Sequence, residues 1–195
     1  MSVEREDHQE ESQEVPVRRR SRLFCGAIAV PVAFLGLGVY RAWIEIMFVG
    51  SFVDFPAVAF SGRDLFDLTM VVTAVACTLL ARRIGPFFDK PAVYALCAAT
   101  LTASTVLMFA SCWLPGIAPA VGVPATLLGG FGIALLILFW SELYGCLNPL
   151  RVALYYSASI VVGALVLYVY RGFMLPWLFV MTSLLPAASL VLLRR

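Results

Sequence analysis

The sequence predicts an all-α membrane protein, a bundle of six transmembrane helices, and three observations carry that reading. Hydrophobic residues make up 62% of the chain and charged residues only 13%. A soluble domain needs about 25% charged residues to clothe its surface. The mean hydropathy of +0.92 agrees. The apolar residues also fall into six runs, each close to the roughly 20 residues that cross a bilayer as a helix, separated by charged or Pro/Gly-containing breaks.

Residues 1–21 precede the first run. Within residues 1–17, Glu4, Glu6, Asp7, Glu10, Glu11 and Glu14 face a lone Arg5, and a basic run, Arg18-Arg19-Arg20-Ser21-Arg22, follows. So little apolar surface cannot offset the entropy of ordering, so this segment is expected to be a disordered cytoplasmic tail. A signal peptide is also basic and then apolar. Here, however, the acidic leader is long, the apolar run exceeds an h-region and no A-x-A site closes it, so the first span is expected to stay uncleaved.

The remaining residues, 22–195, form the membrane domain, with spans expected at about 23–43, 65–81, 91–113, 118–144, 149–170 and 174–193. Span one contains Pro31, Gly36 and Gly38, with Arg41 near its far end. Residues 44–60 stay apolar but are broken by Glu45, Gly50, Asp54 and Pro56, which suits an extension and loop at the interface. Span two opens on Asp64 as N-cap and Asp67 at N3, where carboxylates complement a helix start, and Arg82-Arg83 stop it. Gly85-Pro86 and Asp89-Lys90-Pro91 form a rigid turn. Span three carries Ala95, Ala99 and Ala103 at four-residue spacing, a stripe that lets helix backbones approach in lipid. Span four holds Gly129, Gly130 and Gly132, read as packing residues. Span five holds Ser157 and Ser159, candidates for hydrogen bonds between helices. Span six contains Pro186 and ends on Arg194-Arg195.

Six spans place both termini on one side, and basic residues identify it. Arg5, Arg18, Arg19, Arg20, Arg22, Arg82, Arg83, Lys90, Arg151, Arg194 and Arg195 fall on that side, leaving only Arg41, Arg63 and Arg171 on the other. The excess marks the cytoplasm, so the expected location is the inner (cytoplasmic) membrane with both termini inside. Trp43, Trp113, Trp140, Tyr144 and Trp177 lie near span ends, where aromatic belts form.

The join between spans four and five is the most informative stretch. Asn148 reads as an N-cap and Pro149 as the first helical residue, where a missing N–H costs nothing. Glu142 and Arg151 then occupy the ends of two antiparallel helices, each at an unfavourable dipole end, and pairing across the turn would resolve both.

Arg41 and Glu45, spaced i,i+4, are the leading ligand candidates, because charges within an apolar helix are costly and usually face a bundle interior or a water-filled cavity. Two alternatives stand beside that reading. Both side chains could snorkel to headgroups, or Arg41 could pair with Asp64 or Asp67. A small anionic ligand or a lipid headgroup is the partner a guanidinium in this position would take.

No enzyme, metal or cofactor is expected. His8 is the sole histidine, and Cys25, Cys77, Cys97, Cys112 and Cys146 show no CxxC spacing and read as buried hydrophobes. No Gly-rich phosphate loop follows a strand pattern.

Six spans with cytoplasmic ends resemble one half of a major facilitator superfamily transporter, which is assembled from two six-span halves. The loop between spans two and three, 81–90, carries similar residue types to that family's signature in a different order. A closer likeness rests on residues 141–151 (SELYGCLNPLR), 155–159 (YYSAS) and 37–45 (LGVYRAWIE). These are similar to the membrane domain of bacterial LuxR-type regulators, in which a transporter-like bundle precedes a helix-turn-helix domain. The resemblance implies a membrane sensor half. Its alternatives are a half-size transporter working as a dimer or an inactive fragment. Expected partners are the lipid bilayer and either a second copy or a second six-span half. The chain has no helix-turn-helix domain, so direct nucleic-acid binding is not expected.

The topology is directly testable. Reporter fusions after Phe60, Gly85, Pro115, Asn148, Gly172 and Arg195 are expected to alternate, the first reporting outside. An outside signal at Gly85 or Asn148 would overturn the six-span order.

Overall fold

A computed structural model of the chain describes residues 32–50, 53–84 and 90–194, except the side chains of 32, 33, 60–62 and 81–84. The tail at 1–21, the first part of span one with Cys25 and Pro31, the turn at 85–89 and Arg195 lie outside the described residues. So do the side chains of Arg82 and Arg83.

Every regular element among the described residues is helical. A 3₁₀ turn, Val32–Leu35, leads into α1, Gly36–Ile44, which runs on through a π-helical turn, Glu45–Val49. Then follow α2, Val58–Ile84, α3, Pro91–Trp113, α4, Ala118–Gly145, α5, Pro149–Tyr170, and α6, Leu175–Leu193. The last four are long and apolar enough to cross a membrane.

Contacts between helices give their directions. Gly36, which opens α1, lies against Trp140 and Leu192, near the ends of α4 and α6. At the far end of α1, the buried Trp43 indole donates a 2.9 Å hydrogen bond to Thr105, in the second half of α3. Phe179, early in α6, packs on Phe109 and Trp113, late in α3. Phe34 and Gly38 meet Tyr155 and Gly163 in the same order along α5. Helices α1, α3 and α5 therefore run one way and α4 and α6 the other, and α2, which starts beside Ser111 of α3, runs with the second group. The start of α1 and the end of α6 share one end of the bundle, tied by a 2.9 Å bond from the Ser189 hydroxyl to the Gly36 carbonyl. That end carries Asn148; the opposite end carries Trp113.

Helix α4 packs between α2 and α3, α3 reaches α6, and α1 bridges α6 to α5. The α4 glycines make this possible. A Cβ on Gly130 would come within 2.9 Å of the Phe66 carbonyl oxygen of α2, and one on Gly132 within 2.7 Å of Leu101 of α3. Lipid offers no hydrophobic drive for helices to associate, so such close packing and a few polar links must hold them together.

Several expectations change. Helix α2 starts at Val58 rather than at 65, so Asp64 and Asp67 lie in its second and third turns and cap nothing. The start is set by tertiary anchors: Phe55 is buried edge-on against Phe109 at 5.1 Å, and the Ala57 amide donates to the Ser111 hydroxyl at 3.4 Å. The Ala95 and Ala99 stripe faces outward, while Cys97, Leu101, Ser104, Thr105 and Met108 form the packed face of α3. Ser157 and Ser159 bond back to carbonyls of their own helix. Polar links between helices among the described residues include Trp43–Thr105, Ser104–Ala125 O at 2.7 Å, Cys97–Gly132 O at 3.3 Å and Ser189–Gly36 O. Trp43 and Trp140 are core residues, not interfacial ones, whereas Trp113 and Trp177 are exposed as a belt requires. Pro186 sits within a continuous α6.

The closest backbone approach joins α1 to α5. A Cβ on Gly38 would collide with the Ser159 carbonyl oxygen and come within 2.9 Å of the Gly163 amide, and one on Gly163 would come within 2.9 Å of the Gly38 carbonyl oxygen. Backbone on both sides cannot yield as a side chain can. Gly38→Ala is therefore expected to lower the stability of the purified protein at least as much as an overpacked core substitution, about 1–3 kcal/mol. Gly116→Ala, whose Cβ meets nothing within 4 Å, should change it by less than about 0.5 kcal/mol. Thermal unfolding of both variants in one detergent checks the contrast.

Candidate functional site

Helix α5 leans chiefly on α1, and most of its surface faces outward, with Val161, Leu165, Tyr168 and Val169 all exposed. The two helices touch at Gly38 and Gly163 and separate beyond that crossing. The resulting cleft, of about 140 Å³, is lined by Arg41, Ala42 and Glu45 of the α1 segment and by Ile160, Gly163, Ala164 and Leu167 of α5. The α5 lining stops 3 to 10 residues short of Tyr170, which at 1.5 Å per residue is roughly 5–15 Å below the helix end.

Both leading candidates thus share one cleft. Arg41 is exposed and Glu45 half-buried. They do not form an ion pair with each other, and the Arg41 side chain donates no hydrogen bond to, nor does the Glu45 side chain accept one from, another described residue. Glu45 opens the π-helical turn, where the Gly50 amide bonds the Glu45 carbonyl at 2.6 Å. The Glu45 amide still bonds the Arg41 carbonyl, so the two residues keep the i,i+4 register and the turn widens only after Glu45; such turns recur at functional sites.

Asp64 and Asp67 are not part of this arrangement. Both are exposed on α2, which packs against α4. Asp67 pairs with Arg63 of its own helix at 3.8 Å, with both side chains more than half exposed. Such a pair contributes little, on the order of 0.3–0.5 kcal/mol. The alternative in which either aspartate holds Arg41 is therefore not realised among the described residues.

The hairpin between α4 and α5 forms as the Asn-Pro pattern dictates. Asn148 is extended at φ −65°, ψ 140°, its side-chain oxygen accepts from the Leu150 amide at 3.1 Å, and Pro149 occupies the first helical position. Glu142 and Arg151, by contrast, make no ion pair with each other. Glu142 is half-buried and Arg151 exposed. A solvated guanidinium at a helix end gains little from reaching across a turn. The cap and the backbone bonds of Arg151 and Val152 to the Asn148 carbonyl close the hairpin instead.

Gly163 and Ala164 complete the cleft, and neither was singled out from the sequence. The available signal was Ser159 and Gly163 at four-residue spacing, the same small-residue pattern sought in α3. A larger hollow, about 490 Å³, lies at the Trp113 end between Phe48 and the 53–59 segment, with Asp54 as its charged residue. Residues 51 and 52, which follow its lining residue Gly50 in the chain, lie outside the described residues. No group of three or more His, Cys, Asp or Glu suited to a metal occurs among the described residues.

No family model, curated protein or solved structure matches this chain.

The hairpin geometry yields a measurable contrast. Asn148→Ala should cost about 1 kcal/mol through loss of the cap. A double-mutant cycle between Glu142→Gln and Arg151→Gln should show coupling no larger than about 0.3–0.5 kcal/mol. Thermal or denaturant unfolding of the four proteins checks it, and a strong coupling would restore the cross-turn pair.

Proposed function

We propose that this chain is a six-span sensor module of the cytoplasmic membrane, with both termini inside and the Trp113 end outside. In this reading it resembles the N-terminal half of the membrane domain of LuxR-type regulators. One observation supports it above the others: two opposite charges, unpaired with each other, face a cleft that opens immediately beyond the Gly38–Gly163 crossing. A ligand that draws Arg41 or Glu45 toward α5 acts on a seam already at backbone contact. It can then change the α1–α5 separation only by pivoting one helix on the other. Helix α1 lies in the chain after the basic run Arg18–Arg22, and in this reading a pivot of α1 is passed back toward that cytoplasmic segment. The differential contact of a ligand with the two helix spacings supplies the free energy for the shift.

Spin labels at Val49 and Tyr168, both exposed and on the two diverging segments, test this in reconstituted vesicles. Two distance populations are expected, with a ratio that changes in Arg41→Gln and Glu45→Gln but not in Arg63→Gln. A single distance unaffected by any of the three would remove the switch.

A further inference from the structure

We infer that the α1–α5 cleft takes a zwitterion carrying a primary ammonium and a phosphate a short linker apart, the phosphoethanolamine group. This rests on the ligand role given to the cleft above and names its chemistry. Charge selects the class. A simple anion attracted by Arg41 meets the carboxylate of Glu45, and a simple cation attracted by Glu45 meets the guanidinium, so a ligand bearing both signs satisfies the site without leaving either charge unmatched. Because the two side chains form no ion pair with each other, that ligand displaces no internal bond.

Spacing narrows the choice. Arg41 and Glu45 stand about one helical turn apart, on the order of 5–6 Å between their Cβ atoms. The two charges of an α-amino acid sit on one carbon and span less than this, whereas phosphoethanolamine separates them by two carbons and an oxygen. A guanidinium binds phosphate oxygens with two parallel N–H donors. A primary ammonium supplies N–H donors to the Glu45 carboxylate, and a quaternary one has none.

The surroundings fit an amphiphile. Gly163 and Ala164 leave room close to the α5 backbone, in a cleft of about 140 Å³, a volume on the order of a few water molecules. Ile160 and Leu167 flank it, and the exposed Val161 and Leu165 continue an apolar surface beside it. The cleft lies roughly 5–15 Å from the helix end, within reach of the headgroup region for a long basic side chain. The same chemistry is offered by the headgroup of phosphatidylethanolamine and by free phosphoethanolamine.

The test uses the purified full-length chain, delipidated in detergent, with thermal unfolding followed as lipids of identical acyl chains are added. Phosphatidylethanolamine should stabilise the wild type at several-fold lower concentration than phosphatidylcholine, which lacks the N–H donors, or phosphatidylglycerol, which lacks the cation. Glu45→Gln should erase that preference and respond best to phosphatidylglycerol, and Arg41→Gln should lose the response to all three. Arg63→Gln, the control for lost surface charge, should keep the wild-type order. Ratios between lipids within each variant do not depend on its starting stability, so a weakened fold does not obscure the result. Free phosphoethanolamine is added in a parallel titration. Protection by it supports the zwitterion site and makes the soluble group a ligand in its own right, while protection by the lipid alone supports the site and assigns it to the membrane. Equal response of the wild type to all three lipids, preference for phosphatidylglycerol, or an unchanged order in Glu45→Gln would overturn the inference. Such a failure leaves the distance populations of α1 and α5 as they are, so it is separable from failure of the sensor reading.

Discussion

Backbone contact between Gly38 and Gly163 is the constraint on which the arrangement of this bundle depends. Helix α5 packs chiefly against α1, and the two meet where neither carries a side chain. A residue with even one methyl group at either position would push α5 away and open the seam along its length. The same contact makes the seam asymmetric. It is tight at the crossing, and toward the Asn148 end Phe34 packs against Tyr155 at 4.6 Å. Beyond the crossing, toward the Trp113 end, it widens into a cleft with charge on one wall and small residues on the other.

Helix α1 also has contacts on its other sides. Trp43 is fully buried and hydrogen-bonded to Thr105, whose own hydroxyl continues to the Leu101 carbonyl at 2.9 Å. Ser189 holds the Gly36 carbonyl from α6. Phe48, just past α1, stacks on Phe66 of α2 at 4.3 Å and fills the space left by Gly129 of α4. Each polar link is worth about 1 kcal/mol or less inside a membrane bundle. Their effect is cumulative, tying α1 to α3 and α6, while α5 joins the bundle chiefly through α1.

Charge is kept out of the packed interior. Arg41, Arg63, Asp64, Asp67 and Arg151 are all exposed, and the buried polar side chains are hydroxyls. A hydroxyl can return its proton to a carbonyl of its own helix, as Thr100, Thr126 and Ser111 do, so burying it costs little. A charge has no such local recourse, which is why the one pair set within an apolar helical stretch, Arg41 and Glu45, faces a cleft and not the core.

Much of this architecture was legible in the sequence. The apolar runs place α3, α4, α5 and α6 to within a residue at each end, because in lipid a helix must satisfy its own backbone and therefore occupies the whole run. The Asn148-Pro149 cap was equally plain, since a cap is a local hydrogen bond between a side chain and an amide two residues away. Which small residues make contact was not legible. Ala95 and Ala99 have the right spacing but face outward, and Ser159 with Gly163 makes the approach, because spacing defines a stripe and only the neighbouring helices decide which stripe is covered. The start of α2 was misplaced for the same reason: Ser111 and Phe109, more than 50 residues away, anchor the chain ahead of Val58. Arg41 and Glu45 stood out at once as charges in an apolar stretch. That they face Gly163 and Ala164 was decided by the crossing of α1 on α5, which a linear pattern of residue types does not contain.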